Sequence, residues 1–388
     1  MRKQWGMLNG EWGECPLGSP CARVPHSPFP IPHSPLAPHS TFPIPHSPPR
    51  GVTLIELLIT MAIMAIISAA ILGTASAAME AARRTRTQSL VSKIHGLLTQ
   101  QLASYETRRV EINGNITRAL DSYVAAATNP ADRAARLKAQ GQIMADARLL
   151  GIRELMKMEM PDAEVDVTHV PLVLARVPSL TQAYRRRNVT RSDDNESAEF
   201  LYMVVMAATG DGEARTMFAK QDIGDVDGDG ASEFVDGWGQ PLRWMRWPAG
   251  YVSDLQPRNA NGTRVDRDPH DIFGRDRPPE GAAALTPDIS IYETISLGTG
   301  QSFRDVYENN IRNRLTGPAP LVQKAAFRLV PLIYSIGPDG EATARFKLND
   351  TLGPLDPYYI TSDGNQLGPD PASINQWKDN ITNHLIEY

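Results

Sequence analysis

Residues Leu57–Met79 form a run without a charged side chain, and a carboxylate, Glu56, stands directly before it. A helix rises about 1.5 Å per residue and the hydrocarbon core of a bilayer is about 30 Å thick, so about twenty residues span it. The run therefore predicts a membrane-spanning helix. Because an ionisable group is costly at the edge of such a segment, Glu56 is expected to have a dedicated partner.

The six residues Gly51–Glu56 read Gly-Val-Thr-Leu-Ile-Glu. They resemble the class III signal of type IV prepilins and type II secretion pseudopilins, whose consensus is Gly, an apolar residue, Thr-Leu-Ile-Glu. Val52 stands where that family usually has Phe. The resemblance implies that a prepilin peptidase cuts after Gly51 and that Val52 becomes the methylated N-terminus. It also implies that Glu56 pairs with the N-terminal ammonium of a neighbouring subunit and sets the helix register in a filament. The alternative is an ordinary signal anchor that contains a glutamate.

Basic residues around the apolar run favour a different orientation from the motif. A cluster of them follows the run, whereas Arg50 alone lies close before it, so the positive-inside rule places the C-terminal side in the cytoplasm. The cluster consists of Arg83, Arg84, Arg86 and Lys93. The resemblance implies instead a single-pass inner-membrane protein with its head in the periplasm, and we give the motif precedence.

Residues 1–50 are rich in proline, with Pro-His-Ser-Pro units repeated between Pro25 and Pro48. Proline at this density removes backbone donors and prevents helix formation, which predicts a disordered tract. We interpret residues 1–51 as a leader that is removed, or as a region read from a misassigned start codon. Four histidines make a metal-binding tract the alternative: His26, His33, His39 and His46. Both cysteines, Cys15 and Cys21, also lie here, so the processed chain would have no thiol.

Net charge argues against nucleic acid as a main partner. Four basic and two acidic residues precede Gly51, so the formal net charge of −5 becomes −7 once they are removed. A moderately acidic head offers no concentrated basic groove. We therefore expect the partners to be the prepilin peptidase, other pilin-like subunits and the inner membrane.

The chain after the cleavage position predicts an α+β fold with a long N-terminal transmembrane and stalk helix. This helix is predicted to cover residues 52–112 and to end near the turn signal Asn113-Gly114. Residues 52–112 contain no proline, and apolar side chains recur at helical spacing from Leu90 to Tyr105. Residues 113–388 form the predicted head, with a small antiparallel sheet. Within it, residues 113–195 are predicted to be a helical insertion, broken near Asn129, that compact pseudopilin heads lack.

Further elements of the head follow from local patterns. Glu199–Ala208 is predicted to be a buried helix, and Pro241–Trp247 and Ala326–Tyr334 are predicted to be strands. The polar stretch Gln256–Pro287 is predicted to be a long surface loop.

The acidic loop, residues 222–236, contains a stretch that fits the twelve-position calcium loop from Asp225 to Asp236. Acidic residues occupy positions 1, 3, 5, 9 and 12, glycine occupies position 6, and position 7 would offer a backbone carbonyl. The predicted ligands are Asp225, Asp227, Asp229, Ala231, Glu233 and Asp236. These residues predict a structural calcium ion. The alternative is a solvated acidic turn.

Two head segments extend the resemblance. Asp236–Leu242 is similar to the Asp-Pro-Trp-Gly-Asn-Pro segment of major pseudopilins, and Tyr334–Glu341 is similar to their Ser-x-Gly-x-Asp-Gly turn. Since these segments lie near a structural calcium ion in that family, the resemblance makes Ser335 and Asp339 weaker ligand candidates. Nearby tryptophans could form a carbohydrate platform, but aromatic side chains in strands are more often core.

No catalytic motif is present, so an enzyme is not expected. The sequence lacks His-Glu-x-x-His, Gly-x-Ser-x-Gly, a phosphate-binding loop and a dinucleotide fingerprint. The histidines after the cleavage position are scattered, and none stands beside a credible nucleophile: His95, His169, His270 and His384. The resemblance implies a structural subunit of a type II secretion pseudopilus or of a type IV pilus-like filament. The alternative is a membrane-anchored periplasmic binding protein that does not polymerise.

Overall fold

The computed structural model describes most of the chain from Gly51 onward. The described residues are 51–187, 195–208, 216–249, 251, 253–256, 266–276, 290–316, 326–340, 355–358 and 380–384. The predicted leader, apart from Gly51, and parts of the predicted loop Gln256–Pro287 lie outside them. The chain divides into two compact units, Met1–Met64 and Ala65–Tyr388.

Helix α1 runs from Leu54 to Glu106. Its first part is apolar and unburied, and α1 is long and apolar enough to cross a membrane. Its later part has a buried stripe at helical spacing: Thr87, Leu90, Val91, Ile94, Leu98 and Tyr105. One continuous helix therefore changes from exposed apolar residues to an amphipathic pattern.

The helix ends earlier than the turn signal at Asn113-Gly114 suggests. After Glu106 the chain extends, and Ile112 forms a bridge with Leu174. The amide of Asn113 donates to the carbonyl of Val173 at 2.8 Å, and the Asn113 side chain then caps the next helix. Residues 111–113 thus pair with the 173–175 segment in an extended conformation, which does not continue the helix.

The described part of the predicted helical segment contains four helices, and the predicted buried helix follows them. Their bounds are α2 Gly114–Ala125, α3 Pro130–Glu159, α4 Glu164–Thr168, α5 Ser179–Arg187 and α6 Glu196–Ala208. The break before α3 lies where it was predicted, since the Asn129 side chain accepts from the Asp132 amide at 2.8 Å and Pro130 takes the first helical position.

The C-terminal half of α3 belongs to the main core. All residues from Leu149 to Glu159 are buried, and several pack with α1 and α6. Buried charges on α3 are paired: Arg153 contacts Asp276 at 2.6 Å and Lys157 contacts Asp166 at 3.1 Å. The segment interpreted as an insertion therefore supplies a central part of the head.

Two small antiparallel sheets complete the α+β fold. Strands β1 (Ile223–Gly224) and β2 (Glu233–Phe234) pair around the acidic loop, and β3 (Arg243–Met245), β4 (Leu332–Ser335) and β5 (Ile381–Thr382) form the second sheet in that order. The predicted strands at 241–247 and 326–334 are real but shorter. Pro331 lacks the N–H that would extend β4 backwards, and Pro241 forms only a bridge with Val235.

A second core cluster joins α2 and α3 to short helices near residue 300. These are α7 (Ser290–Thr294), α8 (Phe303–Tyr307) and α9 (Asn313–Thr316), with a π-helical stretch at Glu308–Arg312. The Ser302 side chain accepts from the Asp305 amide and begins α8 with a capping box.

Candidate functional site

The predicted cleavage position lies in an exposed segment before α1. Gly51 and Val52 are both exposed to solvent, and 71% of the Val52 surface is accessible. Among the described residues, no atom beyond the adjacent residues lies within 4 Å of the position that a Cβ on Gly51 would occupy. The peptide bond between these residues is thus accessible in the chain as it stands.

Thr53 and Glu56 form a reciprocal cap at the start of α1. The Thr53 amide donates to Oε2 of Glu56 at 2.8 Å, its hydroxyl donates to the same oxygen at 3.0 Å, and the Glu56 amide donates to Oγ1 of Thr53 at 3.2 Å. This is a capping box, which satisfies two of the amides that a helix start leaves free. The Glu56 carboxylate is therefore held beside the N-terminal residues that processing would expose.

The acidic loop is shaped by its first carboxylate. Asp225 accepts from the amides of Gly228 at 2.7 Å and Gly230 at 3.1 Å. Both glycines have positive φ, +79° and +94°, a conformation that disfavours side chains with a Cβ. Asp225 thus binds the backbone of its own loop with both carboxylate oxygens.

Four carboxylates converge beside this loop. One oxygen from each of Glu199, Asp227, Asp229 and Glu233 lies within 4.8 Å of the others. Glu199 comes from α6, and Glu233 comes from β2. The sequence pattern predicted Asp227, Asp229 and Glu233 as ligands but gave no sign of Glu199, because an acidic residue in the first turn of a helix is common.

Glu233 is the most constrained of the four. Its side chain is fully buried, Oε2 accepts from the Val226 amide at 3.0 Å, and Oε1 has no hydrogen-bond partner in the described part of the chain. Burial, together with the negative charges of Asp227, Asp225 and Asp229, raises the pKa of Glu233 to about 7. Negative charges are thus crowded around a buried carboxyl group.

Asp236 is directed away from this group. Its Oδ1 accepts from the amides of Trp238 at 2.8 Å and Gln240 at 2.9 Å, and its Oδ2 accepts from the Ser335 hydroxyl at 2.6 Å. Among the weaker candidates, Ser335 is thus a partner of Asp236, and Asp339 is exposed. The amide of Ala231 donates to Asp229 at 2.8 Å.

The turn after Asp236 docks on α1. The Gly237 amide donates to the Thr87 hydroxyl at 2.9 Å, and the Trp238 indole donates to Glu80 at 3.1 Å. A Cβ on Gly237 would lie 2.5 Å from the Arg83 carbonyl oxygen. Glycine at this position therefore permits a close approach between loop and helix.

The tryptophans of β3 and its flank belong to the core, as the aromatic pattern favours. Trp244 is 2% exposed and Trp247 is 5% exposed, and both join the cluster formed by α1, α3 and α6. A surface platform built from these two side chains is therefore incompatible with the fold.

His384 contacts the hydroxyl of Ser253, which lies far from it in the sequence. Ser253 Oγ lies 2.6 Å from Nδ1 of His384, whose Nε2 faces the carbonyl oxygens of Val330 and Pro331 at 3.1 and 3.2 Å. His384 is fully buried. Because both ring nitrogens have hydrogen-bond partners and the ring is buried, His384 joins Ser253 to the segment before β4.

Comparison with known families bears on the N-terminal segment. Residues 47–72 match the family described as Prokaryotic N-terminal methylation motif. The chain therefore has the type IV pilin-like, prepilin-type start that its hexapeptide predicted. The motif implies processing by a prepilin peptidase and pilin-like assembly, and with helix α1 it fits a membrane-anchored protein. No curated protein and no solved structure matches the chain.

Proposed function

We propose that this chain is a structural subunit of a type II secretion pseudopilus or a related pilus-like filament. The match of residues 47–72 to the methylation motif is the observation that supports this most directly. In the proposed sequence of events, a prepilin peptidase cuts between Gly51 and Val52 and the new N-terminus is methylated. The remaining chain, anchored in the inner membrane by α1 with its head in the periplasm, then assembles.

The start of α1 suggests how assembly would work. The first residues of the helix are apolar and exposed, with Leu54 81% and Ile55 65% exposed. In a filament these side chains would pack against α1 of neighbouring subunits, and the Glu56 carboxylate would meet a neighbour's N-terminal ammonium. Such a pair offsets the desolvation of both charges only when geometry is favourable. The Thr53 cap supports this by limiting the positions that the carboxylate can adopt.

The experiment that tests processing is mass spectrometry of the N-terminus of protein from the membrane fraction. The proposal expects a chain that begins with methylated Val52. Replacing the glycine, Gly51→Val, should leave the preceding residues attached, because a branched side chain would occupy the cleavage position. A wild-type chain that retains residues 1–50 in cells with an active peptidase would contradict the proposal.

A second variant separates a filament subunit from a membrane-anchored binding protein that stays single. We expect Glu56→Ala to give the same processed N-terminus but to lose most crosslinks between copies in intact membranes. Thr60→Ala is the matched control, since its hydroxyl only donates to the Leu57 carbonyl of the same helix. Equal crosslinking in wild type and Glu56→Ala would argue against assembly through Glu56 and favour the binding protein.

A further inference from the structure

We propose that Glu199, Asp227, Asp229 and Glu233 bind one calcium ion, which fastens the acidic loop to helix α6. The inference stands apart from the filament proposal, since it concerns the head alone. It also departs from a twelve-position loop that completes the coordination sphere by itself.

The spacing of the four carboxylates fits a single calcium ion. Calcium takes oxygen ligands at about 2.3–2.6 Å, so two ligands on opposite sides of one ion lie at most about 5.2 Å apart. One oxygen from each of the four residues falls within 4.8 Å of the rest. Magnesium demands near-ideal octahedral geometry and loses its water ligands reluctantly, so a site built from four protein carboxylates suits calcium better. The absence of nitrogen and sulfur from this group of four disfavours zinc.

Glu233 gives an independent indication of a ligand. Its side chain is 0% exposed and belongs to the convergent group, yet Oε1 has no hydrogen-bond partner among the described residues. Oδ2 of Asp229 is a second buried oxygen of the group that has no hydrogen-bond partner among the described residues. Buried carboxylate oxygens are costly unless a donor or a cation satisfies them. A cation at the centre of the group supplies that partner to both.

The remaining contacts of the loop hold the ligands in place. Asn195, at the start of α6, donates from Nδ2 to Oδ2 of Asp227 at 3.1 Å. The Val226 amide binds the second oxygen of Glu233 at 3.0 Å. Hydrogen bonds of this kind to ligating carboxylates orient them toward the metal. Residues on both sides of the proposed ion are therefore already positioned.

Two of the acids in the twelve-position pattern have other roles in this arrangement. Asp225 accepts two amides of the loop, and Asp236 accepts two amides and a hydroxyl beyond it. Glu199 supplies a carboxylate ligand that would otherwise have to come from the loop itself. The bound ion would thus join a helix to a loop, and its loss would release the loop from α6.

Calcium titration of the full chain in detergent, after chelator treatment, tests the proposal. We expect one calcium per chain by calorimetry and a higher unfolding temperature with calcium, with magnesium giving much less. Glu199→Gln should weaken calcium binding at least about tenfold, because ligand charge sets affinity in such sites. Asp225→Asn should weaken it by about threefold or less, since that carboxylate binds backbone amides.

The two variants make the outcome decisive. Full binding by Glu199→Gln, or loss of binding in Asp225→Asn with Glu199→Gln unaffected, would overturn the arrangement across α6. Absence of calcium binding by the wild-type chain would overturn the site itself. If Glu199→Gln does not unfold cooperatively in chelator, Asp229→Asn replaces it, because this loop position keeps an oxygen for the Ala231 amide. It should then show the same loss of affinity, and unchanged affinity would contradict the proposal.

Discussion

The Ser335 hydroxyl donates a 2.6 Å hydrogen bond to Oδ2 of Asp236, across 99 positions of the chain. Both side chains are buried, and the same hydroxyl accepts from the Gly337 amide at 3.1 Å. The end of β4 is thereby joined to the turn that follows β2. The two segments that resemble pseudopilin heads therefore meet through their polar side chains.

Ser335→Ala tests the energetic importance of this contact. Hydrogen bonds to charged groups contribute about 1.5–3 kcal/mol, and the variant leaves a buried carboxylate oxygen of Asp236 unsatisfied. We expect the unfolding temperature of the purified chain to fall by several degrees. Ser122→Ala is the control, because that exposed hydroxyl only donates to the Arg118 carbonyl of its own helix. Equal unfolding temperatures for the two variants would show that the contact contributes little.

Gly237→Ala tests the docking of the Trp-Gly turn on α1. The new methyl group would meet backbone atoms of Arg83 at 2.5–2.8 Å, and backbone cannot move aside as a flexible side chain does. Overpacking of this kind costs about 1–3 kcal/mol, so thermal unfolding should occur at a lower temperature.

Gly141→Ala is the matched control for that change. Gly141 lies within α3, and outside its own helical turn no atom of the described residues lies within 4 Å of its Cβ position. Alanine should therefore be neutral or stabilising by up to about 1 kcal/mol. A Gly237→Ala chain as stable as the control would mean that the turn does not hold its close position on the helix.

Glu154→Gln tests a buried carboxylate that organises the chain after α4. Glu154 is fully buried and accepts from the amides of Leu172, Val173 and Leu174 at 2.7–2.9 Å. Glutamine would turn an NH₂ group toward amide donors, which leaves buried donors unsatisfied at about 1–3 kcal/mol each. Denaturant unfolding should show a marked loss of stability.

The exposed acid at the end of α1 provides the comparison for Glu154. Glu106→Gln keeps the helix intact and removes no buried acceptor, so its unfolding midpoint should match the wild type. If Glu154→Gln matched it too, the 172–174 segment would have to be held by contacts other than the carboxylate.

Local signals predicted the elements better than the connections between them. The uncharged run identified α1, and Asn129-Pro130 marked the start of α3. Both signals lie within a few residues of the elements that they determine. The predicted end of α1 near Asn113 was too late, because Ile112 pairs with Leu174. The sequence around Ile112 does not indicate a partner so far along the chain.

The same limit applies to the acidic site. Alternating carboxylates predicted a cation near residues 225–236, and the structure brings Asp227, Asp229 and Glu233 together. Glu199 lies on another element, and only the packing of α6 on β2 brings it close. The buried pair of Arg153 and Asp276 is likewise a tertiary contact. A buried charge needs an oppositely charged partner, and only the folded chain determines which residue that is.

The uncharged run ends at Met79, and the next residue, Glu80, already receives the Trp238 indole. Further along, Arg86 pairs with Asp222 at 2.9 Å and Thr87 holds the Gly237 amide. The head thus contacts α1 from the first charged residue after the apolar run, and these contacts fix the rotation of residues 80–87 relative to the head. If this stretch of α1 rotates about its axis, the acidic loop and the turn at Gly237 must rotate with it.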